Sequence, residues 1–191
     1  DGLTLGTPIS MIIKNTSQHY QDYGNLEYTY RPGPADYTYD KKFGFRDYRG
    51  GGRSSGRETA ARVAAGAIAT AILEEKGISL KAYTIRAAGI KVNHINYDEI
   101  EQNSLRAADS EAASRMQAKI EEIRKQGDSA GAVIECCIKG VPAGLGEPVF
   151  DKLDAMLSHA MLSIGAVKGI EFGSGFEASD MTGSMNNDAM R

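Results

Sequence analysis

Arg53, Ser54, Ser55 and Arg57 stand close together in the run Gly50-Gly51-Gly52-Arg53-Ser54-Ser55-Gly56-Arg57-Glu58. Guanidinium groups present forked donors to phosphate and carboxylate, hydroxyls add further donors, and glycines let the backbone come close to a ligand. The chemistry these residue types can do is to hold a multiply charged anion. Ser55 and Glu58 are in Ser-x-x-Glu spacing, which predicts a capping box at the start of a helix. Free backbone N–H groups and a partial positive charge at such a helix end would add to an anion seat. The same signals also serve a capped helix that binds nothing. Charge placement favours a ligand: residues 31–62 hold eight Lys/Arg against four Asp/Glu, a net of +4, in a chain whose formal net charge is −3. Cations gathered in one segment of an acidic chain suit a small anionic ligand better than a long polyanion.

The elements that must position these residues can be read from periodicity. A helix is predicted over about Arg57–Lys76, with Ala61, Ala64, Ala65, Ile68 and Ile72 on one face and Gly77 as its stop. Small residues nearly all round it suggest a helix buried between layers. Before it, Thr7–Asn15 alternates and reads as a strand. Residues 16–52 have no clean period, contain Pro32, Gly33 and Pro34, and are rich in tyrosine, so they read as a long functional loop. After it come a strand over Leu80–Ile90 and a connector with His94 and Tyr97. A surface helix follows over Ser110–Gln126, with Ala112, Met116, Ile120 and Ile123 inward and Gly127 as its stop. A strand follows over Ala130–Val141, and then a helix carrying Phe150, Leu153, Leu157, Ala160, Met161 and Ile164 on one face. The last predicted strand is Ala166–Phe172. The content is α/β. A P-loop fails for want of a Gly-Lys-Ser/Thr ending, and a dinucleotide-binding fingerprint fails for want of a preceding strand.

Composition excludes several function classes. An acidic pI near 5.7 argues against nucleic acid as the main partner, and no run approaches the roughly 20 apolar residues of a membrane helix. There is no signal-peptide pattern. Cys136 and Cys137 are adjacent in a predicted strand and point to opposite faces, so they suit neither a disulfide nor a metal, and a cytoplasmic location is expected. His19, His94 and His159 are scattered, so no metal site is expected, and His159 lies off its helix stripe as a structural residue. The 191 residues suit one domain. The chain opens at Asp1 and ends in the polar run Met181-Thr182-Gly183-Ser184-Met185-Asn186-Asn187-Asp188-Ala189-Met190-Arg191, which suggests a fragment of a longer chain.

The run from Gly52 to Ala60, with Val63 and Gly66 after it, resembles a signature of the chorismate synthase family. The likeness continues in Gly6-Thr7-Pro8-Ile9, Asn15-Thr16, Gln21-Asp22-Tyr23, Arg31-Pro32-Gly33 and Ala35-Asp36-Tyr37-Thr38-Tyr39. Gly140–Ala155, Ala166-Val167-Lys168-Gly169 and Gly183-Ser184 extend it, so that it runs from about Gly6 to Asp188. The resemblance implies a layered β-α-β sandwich with helices between antiparallel sheets, and a homotetramer. It implies a carbon–oxygen lyase that converts 5-enolpyruvylshikimate 3-phosphate to chorismate by 1,4-anti elimination, dependent on reduced FMN. By position, Arg53, Ser54 and Ser55 would contact FMN, Ser55 would serve catalysis, and Arg31 and Arg57 would bind substrate. Two departures stand out. The family pattern has a histidine, used in proton transfer near the flavin, after Arg-Pro-Gly, and this chain has Pro34 there. The family's amino-terminal Gly-Glu-Ser-His-Gly block and carboxy-terminal Arg-His-Asp-Pro block are not in these residues, so the 191-residue chain alone is expected to be inactive. The alternatives are a catalytically incompetent truncated paralogue that keeps the anion and flavin pocket, and an unrelated nucleotide-phosphate binder.

Overall fold

The computed structural model describes residues 2–49 and 55–188. In chain order the elements are a 3-10 helix (Tyr20–Leu26), α1 (Asp36–Phe43), α2 (Glu58–Glu75), β1 (Ser79–Ala87) and β2 (Ile90–Lys91). A second 3-10 helix (Tyr97–Gln102), α3 (Ser110–Lys125), β3 (Ala132–Lys139), α4 (Leu153–Leu162) and a third 3-10 helix (Gly175–Asp180) complete the order. The chain divides into two compact units, residues 1–67 with 143–191, and residues 68–142.

The second unit is built on one antiparallel sheet of order β2-β1-β3. β1 and β3 pair from Ser79↔Lys139 to Ala87↔Ala132, with an irregularity between Thr84 and Arg86. The sheet is not parallel, which agrees with rejecting a doubly wound fold. Ala88 and Gly89, at φ 49° and 80°, make the tight turn into β2, the geometry that right-twisted hairpins favour. One side of the sheet packs on the segment between β2 and α3: Tyr83, Ile100 and Ala108 are buried with Ile85, Tyr97 and Cys137 beside them. The Tyr83 hydroxyl donates to Glu135 Oε1. Burial and that carboxylate push the phenol well above its usual pKa.

α3 forms as its sequence requires. Asp109 is its N-cap and accepts from Ala112 N–H at 2.9 Å. Ala112, Ala113 and Met116 are buried against Ala87 and Ala107, with Ile120 at the margin, and Gly127 takes φ 74° at the stop. Gly77 likewise ends α2 at φ 76°, with Ile78 N–H bonded to Leu73 O at 2.9 Å. Gly140, just after β3, has φ 79°, and a Cβ built there would lie 2.1 Å from Gly77 O. Both a left-handed backbone and a main-chain collision oppose any side chain. Gly140→Ala is expected to destabilise the second unit by about 1–3 kcal/mol, read as a lower urea midpoint with an unchanged m value.

Several expectations are corrected. Thr7–Asn15 and Ala166–Phe172 are not strands. A strand needs a hydrogen-bonded neighbour, and neither segment has one among the described residues. The segment 16–52 is not structureless, since it holds a 3-10 helix and α1. Phe150 lies outside α4 and is 90% exposed. α2 has no buried residue, and Val63 and Ile72 are exposed. Its small residues permit close packing, but the described residues leave it without a buried face.

Candidate functional site

Of the residues singled out for anion and flavin chemistry, Arg31, Ser55 and Arg57 are described. Arg53 and Ser54 lie outside the described residues. All of the described ones belong to the first unit.

Most of the described arginines of residues 31–62 are paired within the segment. Arg31 meets Asp36 in a two-pronged pair, Nε to Oδ2 at 2.9 Å and Nη2 to Oδ1 at 2.9 Å, while its main-chain N–H also donates to Oδ2 at 3.1 Å. Arg46 lies 3.7 Å from Asp36 and 3.5 Å from Asp40. Arg49 pairs with Asp47 at 3.0 Å. Arg62 pairs with Glu58 at 3.0 Å and donates to the Ser163 hydroxyl at 2.8 Å. Each of the segment's four acidic side chains thus takes an arginine. Lys41 and Lys42 lie over the rings of Tyr37 and Phe43. Arg57 differs: it is exposed, and its guanidinium makes no hydrogen bond or ion pair among the described residues.

The start of α2 is not the capping box that Ser55 and Glu58 suggest. Ser55 Oγ accepts from Arg57 N–H at 3.4 Å, and Glu58 turns forward to Arg62. The first N–H groups of the helix bond three residues back, Glu58 to Ser55 O, Thr59 to Gly56 O and Ala60 to Arg57 O, at 3.0–3.2 Å. Thr59 Oγ1 donates to Gly56 O at 2.6 Å. This tight first turn satisfies donors that a bare helix end would offer an anion. What remains for a ligand is the hydrogen of the half-buried Ser55 hydroxyl and the Arg57 fork. A hydroxyl donor two residues from a guanidinium with no partner among the described residues fits an anionic cofactor or substrate group, so the described part of the predicted site is chemically suited to one.

Arg31 is placed differently. It is paired rather than free, so its first role on this geometry is to fix the turn from Arg31 to α1. That turn carries Gly33 at φ 94° and exposed Pro34. The Arg31 guanidinium holds the Asp36 carboxyl down to about 2. A carboxylate whose folded pKa is depressed stabilises at pH above the ordinary range near 3.9, and that contribution is lost as pH falls through about 2. Tyrosine near-UV circular dichroism of the first unit is therefore expected to decline between about pH 4 and pH 2. Glu99 in the second unit is also held at about 2, chiefly by the main-chain N–H of Ser110. The part of the transition that Asp36→Asn abolishes is the part due to Asp36, and an unaltered profile in that variant would refute the assignment.

One cluster was invisible to spacing. His94 Nδ1 lies 3.6 Å from Asp109 Oδ2, and His94 Nε2 lies 3.5 Å from Glu99 Oε1. Ligand-type atoms of the three residues come within 4.8 Å of one another. Both carboxylates are already committed: Asp109 accepts from Ala112 and Asn93 N–H, and Glu99 from Ser110 N–H and the Asn96 amide. They face different ring nitrogens, an arrangement in which Asp109 caps α3 and both carboxylates serve main-chain N–H groups. A shallow cleft of about 380 Å³, lined by Asn103, Leu105, Ala113 and Gln117 among others, contains none of the candidate residues.

The comparisons with known proteins bear on the whole chain. A family model described as chorismate synthase matches residues 1–191. The chorismate synthase of Syntrophobacter fumaroxidans is 55% identical over 189 residues, covering 99% of this chain and 54% of that protein. That of Christiangramia forsetii is 55% identical over 192 residues, with 98% and 54% covered. A crystal structure of a chorismate synthase superposes with a TM-score of 0.73 at 33% identity, covering 81% of this chain and 51% of the other. The chain spans about half the length of the curated relatives it matches.

Proposed function

Because this chain belongs to the chorismate synthase family, we propose that it supplies part of the site in which 5-enolpyruvylshikimate 3-phosphate loses phosphate and a ring hydrogen to give chorismate, a carbon–oxygen lyase reaction in aromatic biosynthesis. The observation that carries this reading is Arg57. It is exposed and has no side-chain partner among the described residues, in a segment where the neighbouring described arginines are paired with carboxylates. A substrate with one phosphate and two carboxylates needs free guanidinium forks, and Arg57 offers one beside the Ser55 hydroxyl.

The proposal includes reduced FMN, which the family resemblance implies and the Ser55 hydroxyl suits. When bound, it supplies electron density to the carbon–oxygen bond that breaks. Arg53, Ser54 and Ser55 would hold it, with Ser55 nearest to a catalytic role, and Arg57 would orient the anionic substrate. Arg31, already bridged to Asp36, would meet substrate with its remaining Nη1 edge. By the same resemblance the working form would be a cytoplasmic homotetramer.

Titration of the chain with FMN, with and without the enolpyruvyl substrate, tests the proposal through flavin fluorescence and absorbance. Substrate-enhanced flavin binding is expected. Flavin affinity indifferent to substrate, together with preferential binding of ATP, would replace the proposal with a nucleotide-phosphate site.

A further inference from the structure

Arg46 is an unusual residue in the first unit. Its side chain is 6% exposed, although it sits in an exposed segment. Nη2 donates to three main-chain carbonyls, Leu26 at 2.6 Å, Glu27 at 3.2 Å and Thr29 at 2.8 Å. The guanidinium carbon lies 5.2 Å from the centroid of the Tyr30 ring. Nε is 3.5 Å from Asp40 Oδ2. Nη1 is buried, makes no hydrogen bond among the described residues, and lies 3.7 Å from Asp36 Oδ2. Burying a guanidinium with an unsatisfied N–H is costly unless the charge does something there.

That Nη1 faces the same oxygen that accepts from Arg31 Nε and from the Arg31 main chain. One carboxylate is thus held between two arginines, one buried and one 30% exposed. We propose that Arg46 is a positioning residue for Arg31: clamped to the carbonyls of residues 26–29 and stacked on Tyr30, it fixes Asp36, which in turn fixes the Arg31 guanidinium where substrate would meet it. The inference rests on the reading of Arg31 as a substrate residue. The arrangement needs arginine. Lysine could supply the charge and donors from one nitrogen, but not a planar group whose Nη2 meets the carbonyls while Nε and Nη1 face Asp40 and Asp36.

Two measurements on the purified chain test the proposal and separate it from the reading beneath it. The first is the titration of the Asp36 side-chain carboxyl by carbon-detected NMR. Arg46→Gln is expected to raise its midpoint by about one pH unit or more, since loosening Asp36 also loosens its bond to Arg31. Arg46→Lys, which keeps a cation if the glutamine variant fails to fold, is expected to raise it as well. An Asp36 midpoint unchanged in a folded variant overturns the proposal. The second is the affinity for 5-enolpyruvylshikimate 3-phosphate in the unaltered chain, Arg46→Gln and Arg31→Ala. A fall of about ten-fold in both variants is expected, the worth of one charge-assisted hydrogen bond. A raised midpoint with equal affinity in all three chains upholds the Arg46–Asp36–Arg31 linkage as a positioning device and removes Arg31 from the substrate site. A ten-fold fall in Arg31→Ala but none in Arg46→Gln overturns the positioning role.

Discussion

Alanine in place of Arg57 is expected to weaken binding of the phosphorylated substrate by roughly ten- to hundred-fold, the worth of a charge-assisted hydrogen bond of about 1.5–3 kcal/mol, while leaving stability within a few tenths of a kcal/mol, as for an uncoupled surface site. The reason lies in what the side chain does without a ligand. It is exposed and engages no partner among the described residues, and the one local bond at this position, from the Arg57 main chain to Ser55 Oγ, survives the substitution. Arg57→Lys keeps the charge but loses the fork and is expected to fall between the two. Arg31→Ala should behave differently, lowering stability and affinity together, because it strips Asp36 of its bonded partner. Isothermal titration with substrate, beside urea unfolding of the same samples, separates these patterns. Unchanged affinity in folded Arg57→Ala would take Arg57 out of the site.

The contrast between Arg57 and Arg31 also shows where sequence reasoning stopped. Both stood out as cations in a positive segment, and counting charges gave them equal standing. What separates them is pairing across turns: Arg31 with Asp36 and Arg46 with Asp40 lie five and six residues apart, spacings with no helical meaning. Elements whose own residues carried the signal were legible. α3 has a capping aspartate, an apolar stripe and a stop glycine, and it forms within a residue of its expected bounds. β3 was found from its apolar content, whereas the strand expected over Leu80–Ile90 is a hairpin, β1 ending at Ala87 and the chain turning at Ala88 and Gly89 into β2. Thr7–Asn15 had alternation but no partner strand, and alternation alone makes no hydrogen bond. α1 was missed because it is polar and has no stripe. Its signals were electrostatic, with Asp36 in the first turn, Lys41 and Lys42 in the last, and Gly44 behind them at φ 78°.

The largest change in activity is expected from Pro34→His. The family resemblance implies a proton-transferring histidine after Arg-Pro-Gly, and this chain presents a ring with no titratable group. A positioned general acid or base contributes about 10²- to 10⁴-fold, so once the family's amino- and carboxy-terminal blocks are joined to this chain to complete the site, turnover with reduced FMN should rise by a factor of that order. The backbone can accept the exchange. Pro34 is exposed and precedes Ala35, the residue before α1, while the positive φ of the turn falls on Gly33. Losing the proline costs only the unfolded-state restriction, about 0.4–1 kcal/mol. A gain due to the imidazole should carry its own pH dependence, with an apparent pKa near 6.5, whereas a gain from altered loop packing should not. The converse exchange, proline for that histidine in a chorismate synthase relative that carries it, should lower turnover by a similar factor. If histidine restores nothing here while proline disables the relative, proton transfer is needed but this chain is limited elsewhere. If neither exchange alters turnover, the position is no relay, and proton movement belongs to another residue of the site.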